Sequence, residues 1–202
     1  MADIDGLVPG NLVMGPARLY IYRLAFDPSL SYEPALADVN LAPAASAWYD
    51  TGITLGGTNV SIEPTWTPLT GDQLVDKLGA RLTDRDIKAT VNFAEMTRAN
   101  LAYAWNMTAG PTGAGYAVSD LNAGQNANRA PYRTLMIDGL GPDVIDGSRS
   151  LKRRAILRKA LPSGNTALNW AKTDQQALAA EFQAFFVTEQ ISPIRVIDEV
   201  ET

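Results

Sequence analysis

A mainly β domain with one short helix and long loops is what this sequence predicts, and three stretches carry the expectation. From Ile87 to Glu95, the residues Ile87, Ala89, Val91 and Phe93 alternate with Lys88, Thr90 and Asn92, and two-residue spacing sends those sets to opposite faces of a strand. Thr58 to Glu63 alternates Val60 and Ile62 against Asn59, Ser61 and Glu63 in the same way. Arg18 to Leu24 is dense in Leu19, Tyr20, Ile21 and Tyr22, a composition suited to a buried strand.

Composition bounds the rest. The chain has 202 residues, 46% of them hydrophobic and 19% charged, which is a globular composition and long enough for one sizeable core. A net charge of -5 disfavours a surface built to grip phosphate backbones. No apolar run approaches the roughly 18 residues of a bilayer span. Met1 to Asp5 lacks the basic start and apolar core of a signal peptide, so the protein is expected to act without crossing a membrane. Cysteine and histidine are both absent, which removes thiol nucleophiles, Ser-His-Asp triads and the common zinc sites.

In chain order, residues 1–15 are broken by Gly6, Pro9, Gly10 and Gly15 and read as an arm or short edge strand. Residues 26–47 carry Pro28, Pro34 and Pro43 without any sustained period, so they read as a long loop. Its apolar residues Leu30, Tyr32, Leu36, Val39 and Leu41 suggest that it docks on something else. Pro64 and Pro68 confine the strand after Val60 to an edge, a bulge or an extended arm. Gly71-Asp72 marks a turn, 74–78 a further short strand, and the polar run Thr83 to Asp86 a second turn, across which 78–82 would pair with the Ile87 strand. Thr97 is placed to cap a helix of about ten residues whose Leu101, Ala104 and Trp105 share one face.

Residues 108–130 are rich in Gly, Ala, Asn and Ser and read as a second long loop. The Gly110 to Gly115 run has no following Lys-Ser/Thr pair and no helix start, so it does not read as a phosphate-cradling turn. Residues 131–140 return to strand character. Arg149, Lys152, Arg153, Arg154, Arg158 and Lys159 make the one basic stretch of an acidic chain, read as a solvated or subunit-pairing strand. Residues 178–187 alternate like a strand but are also good helix formers. A short strand or arm around Pro193 ends the chain, and no repeat or linker divides it into more than one domain.

The order of segments between Trp48 and Trp105 resembles the major tail tube proteins of long-tailed bacteriophages. It comprises Trp48-Tyr49-Asp50-Thr51-Gly52, the Gly56-Gly57 turn, the Val60/Ile62 strand, Asp72-Gln73, the Ile87 to Glu95 strand, and Glu95-Met96-Thr97-Arg98-Ala99-Asn100-Leu101. The resemblance implies a β-sandwich or barrel-type fold with a flanking helix, and hexameric rings stacked into the tail tube that conducts DNA during ejection. It implies a structural virion protein, assembled in the bacterial host cytoplasm, with no catalysis and no cofactor. Its partners would be further copies of itself, the tape measure protein and the tail-tip and terminator proteins. DNA would only pass through the lumen, and no membrane binding is expected. The basic stretch and the 108–130 segment match no motif of that family.

Within this expectation Glu63, Asp72, Asp76, Asp84 and Asp86 are candidates for facing the lumen, because an acidic or neutral wall lets DNA slide where a basic one would hold its phosphates. The basic stretch from Arg149 to Lys159 would face away from the channel or pair with a neighbouring subunit, and the 26–47 loop would reach the next ring. The same fold logic serves a tube or terminator protein of a contractile tail or injection machine. From other classes, a small-molecule-binding barrel lacks a pocket signature. An enzyme would have to work with pairs such as Glu63 and Asp72, or Asp84 and Asp86, and turn acids are usually just solvated.

Overall fold

A computed structural model describes residues 16–29, 39, 41–72, 75–141, 151–168 and 175–200. It is mainly β. The strands are β1 (Arg18–Tyr22), β2 (Trp48–Asp50), β3 (Thr54–Leu69), β4 (Gly79–Phe93), β5 (Thr108–Gly113), β6 (Tyr116–Asp120), β7 (Arg133–Leu140), β8 (Lys152–Pro162), β9 (Leu178–Ala184) and β10 (Ile194–Asp198), with helix α1 (Arg98–Ala104) between β4 and β5.

All strands but β5 and β6 belong to one antiparallel sheet, ordered β2-β1-β7-β8-β9-β4-β3, with β10 also on β8. Strand β8 is where the sheet divides. One edge pairs with β7, while the other pairs with β10 over Arg153 to Leu157 and with β9 over Ala160 to Pro162. A register shift opposite Arg133 and Leu135 leaves an extra residue in β8 just where the partner changes, as a bulge does when it bends a strand. The bulge brings Leu157 and Ala160 into one core with Leu19, Ile21 and Leu135 on one side and Ile87, Val91, Phe93 and Phe182 on the other.

The leaf of β1, β7 and β8 is buried on both faces. Its opposite face carries Tyr20, Met136 and Ile156, packed with Trp48, Val39 and Ile197. This explains why β1 and β7 read as near-continuous apolar runs, whereas β4 and β9, with one buried face, alternate. Of residues 178–187, open to either reading, Leu178–Ala184 form the strand β9 and 185–187 lie beyond it.

Several expectations are corrected. Residues 83–86 are no turn: β4 runs unbroken from Gly79 to Phe93 and pairs with β3, not with 78–82. The polar run survives in a strand because it lies beyond the core, where a bulge opposite Thr65 and Trp66 absorbs Thr83, whose hydroxyl donates to the Thr65 carbonyl at 3.1 Å. Residues 75–78 are not strand. The second long loop is instead the β5–β6 hairpin and a 3-10 helix, Gly124–Arg129. Glycine makes that hairpin: Gly115 has φ +83, and a Cβ on Gly113 would lie 2.5 Å from the Tyr116 ring. Helix α1 has seven residues rather than ten, with Thr97 as its cap, accepting from the Asn100 amide at 3.1 Å.

The two motifs at the ends of the Trp48 to Trp105 segment meet in one hydrogen-bonded node. The wholly buried Asn100 donates through Nδ2 to the carbonyls of Thr51 at 2.9 Å and Glu95 at 2.8 Å. Glu95 accepts from the Ile53 amide at 2.9 Å, and the Tyr49 hydroxyl lies 3.0 Å from that of Thr97. Gly52, at φ +79, passes so close to Glu95 that a Cβ there would sit 2.2 Å from its carboxylate. Asn100→Ala removes both donors and strands two carbonyls, so it is expected to cost about 3 kcal/mol at about 1–3 per unsatisfied buried group. Urea unfolding monitored by tryptophan fluorescence checks this.

Candidate functional site: an arm built from β3 and β4

Strand β9 covers β4 only from Ile87 to Phe93. Beyond Ile87 the β3–β4 ladder continues as far as the Leu69 and Gly79 pair with no other strand against it among the described residues. The seven residues from Glu63 to Leu69 carry this ribbon about 23 Å past the sheet at about 3.3 Å per residue. Every described residue from Ile62 to Arg85 is exposed except Gly71.

Cross-strand register assigns the side chains to faces. Val60 opposes Ala89 and Ile62 opposes Ile87, both on the core face of the sheet. The same face runs outward through Pro64 and then through Trp66, which opposes Leu82 across the bulge. The apolar face that is core within the sheet therefore continues uncovered, with Ile62 50%, Trp66 57% and Leu82 39% exposed. Isolated apolar residues on a surface need no explanation, but a contiguous row of them signals an interaction surface.

The opposite face is polar. It carries Glu63, paired in register with Asp86, and Asp84, opposite Thr65. Asp86 accepts from Gln183 Nε2 at 3.0 Å, and Lys88 lies 3.9 Å from Glu181 on the same outward face. Three of the five acids singled out in the sequence thus share one face. Asp72 and Asp76 sit apart from them, exposed at the arm's tip.

The arm's two edges differ. Pro64 and Pro68 lie on β3, the last strand of the sheet order, and remove donors from its outer edge. The outer edge of β4 from Gly79 to Asp86 contains no proline and has no partner strand among the described residues. An unblunted edge of this kind is a template for a further strand.

The remaining sequence candidates lie elsewhere. Leu30, Tyr32, Leu36 and Arg149 fall outside the described residues. Val39 does not reach outward: it is buried in the chain's own second core, while Leu41 is exposed. Arg154 is corrected too. It is neither solvated nor free for a neighbour but 0% exposed, with its Nε and a terminal nitrogen on Asp138 and a further bond to the Leu41 carbonyl. Arg153 pairs with Asp198 of its own chain at 2.6 Å, the Arg158 side chain donates to the Ser192 carbonyl, and Lys159 lies over the Tyr132 ring and donates to the Phe186 carbonyl. Lys152 is half-buried, its backbone amide on Glu199. The basic strand therefore knits β7, β8 and β10 together. Leu101 and Trp105 pack on the main core as half-buried side chains, and the Trp105 indole donates to the Thr166 carbonyl at 3.2 Å.

Among the described residues no group of three or more Asp or Glu is placed to hold a metal ion, and no helix is long and apolar enough to cross a membrane. Compared with known protein families and with curated proteins, the chain matches none.

Proposed function

We propose that the chain is a tube-forming structural subunit, the major tail tube protein of a long-tailed bacteriophage, which assembles into hexameric rings that stack around a DNA conduit. The observation that supports this best is the arm: a ribbon whose core-type face is uncovered and whose β4 edge is open requires a neighbouring chain to complete it. A ring satisfies every subunit equally, since each arm lies on the next body and the last closes on the first. Closure also removes the exposed edges that an open sheet leaves as an aggregation hazard.

On this reading the arm's apolar row packs on the neighbour, and the face of Glu63, Asp84 and Asp86 looks into the channel. The buried Arg154 and the paired Arg153 then lie in the subunit body, and on the wall Glu63, Asp84, Asp86 and Glu181 outnumber Lys88 and Arg81, so it stays net acidic and holds a passing phosphate weakly. Electron microscopy of the concentrated protein tests the proposal. Rings or tubes with an open centre are the expected image, and dispersed particles of single-subunit size at every concentration would refute it. In a resolved tube, acids of the arm all on the outside with Lys152 and Arg158 on the lumen would refute the electrostatic part alone.

A further inference from the structure

On the flank of α1, away from the arm, a cavity of about 420 Å³ lies between the helix, the start of β7 and the base of the β5–β6 hairpin. Its lining includes Arg23, Arg98, Arg133, Tyr103, Asn106 and Ser119, and no Asp or Glu. Three guanidinium groups around one space without a carboxylate repel one another in an otherwise acidic chain, and something must offset that cost.

The partners these arginines do have are neutral. Arg133 donates to the Arg23 backbone carbonyl and lies 5.5 Å from the centre of the Tyr103 ring. Arg23 donates to the Ala45 carbonyl at 3.1 Å and lies 5.6 Å from the centre of the Tyr49 ring. The two tyrosine rings are themselves 5.3 Å apart. The guanidinium groups are thus held in place by aromatic faces and carbonyls, with their charge left uncompensated. Arg98, exposed on the helix, has no partner among the described residues.

Two lining residues also carry polar atoms that are buried and unbonded. They are Arg133 Nε and Ser119 Oγ, neither with a partner among the described residues. Burial lowers the Arg133 pKa from its ordinary value, with the Tyr103 hydroxyl acting the other way.

We propose that this cavity binds a phosphate-type oxyanion, either free or as the terminal group of a small phosphate monoester, held by Arg133, Arg98 and Arg23. A tetrahedral oxyanion offers several strong acceptors at once, which matches arginines brought to one space from different parts of the chain. The space is in the range of small-ligand pockets, so a monoester fits as well as the bare ion. The inference does not rest on tube formation, because the cavity is complete within one subunit.

The test is calorimetric titration of the full chain at low ionic strength with inorganic phosphate, glycerol phosphate and acetate. Saturable binding of phosphate is expected, absent for acetate, and weakened by about tenfold or more in Arg98→Gln and Arg133→Gln. Tighter binding of glycerol phosphate would identify a monoester as the ligand, and equal or weaker binding the free ion. Arg98→Gln guards against a folding artefact, because that exposed side chain makes no bond among the described residues. Arg81→Gln on the arm should leave binding unchanged. No saturable heat with either phosphate, equal response to acetate, or binding unaffected by Arg98→Gln would each overturn the site.

Discussion

Replacing Trp66 and Leu82 together by serine is expected to leave the subunit folded and abolish its self-association. The two side chains oppose one another on the arm and are largely exposed in the single chain, so the fold loses little; substitutions at such surface positions usually stay within about 0.5 kcal/mol. In a ring they would be buried, and each large apolar side chain transferred from water contributes about 1.5–3 kcal/mol. Because only the exposed fractions, 57% and 39%, are left to bury, losing both weakens each contact by about 1.5–3 kcal/mol, or roughly 10- to 150-fold in association constant. Sedimentation velocity over a concentration series reads this directly. Association unchanged in the double variant would mean that the apolar row is not the contact.

The sequence made the arm's strands legible but not the arm itself. Alternation at Val60 and Ile62 and from Ile87 to Phe93 placed both strands, and Pro64 and Pro68 marked β3 as an edge or extended arm. Which face is core, and that it continues outward to Trp66, depend on β9 stopping at Ala184, a long-range fact no local pattern contains. The polar run at 83–86 was misleading for a physical reason. Turn composition signals solvent exposure, and a hairpin projecting beyond its sheet is as exposed as a turn.

Arg154 shows a second limit. A run of positive charge on a strand says nothing about which residues oppose it, and the partner Asp138 is fixed only by the β7–β8 register. In the loop before β2, the apolar content of 26–47 points to docking on something else, whereas Val39 packs into the chain's own second core. The Arg23, Arg98 and Arg133 cluster left no local signal at all, being assembled from three separate elements.

That buried pair sets the largest expected change in stability. Asp138→Ala leaves the Arg154 guanidinium, 0% exposed, without its carboxylate, and removing one partner of a buried ion pair costs about 3–5 kcal/mol. For a domain of this size that is a fall of about 10 °C or more in Tm. Removing both charges, Asp138→Leu with Arg154→Met, should recover most of the loss, since well-packed apolar replacements of buried pairs are often neutral. By comparison Asp198→Ala, which breaks the exposed pair with Arg153, should cost no more than about 1 kcal/mol. Thermal unfolding of the four proteins decides the matter, and an Asp138→Ala variant within about 1 kcal/mol of the parent would mean that water already reaches Arg154.

The central claim is that the uncovered arm is completed by another copy of the chain. Hydrogen exchange at the backbone amides of Gly79 to Asp86, compared between dispersed and assembled protein, tests it most directly. Amides on the outer edge of β4 have no partner strand among the described residues and should exchange rapidly in the dispersed protein. Assembly should slow them by orders of magnitude while leaving the core amides of β7 and β8 as they were. Rings or tubes in which those outer-edge amides still exchange at the dispersed rate would contradict it.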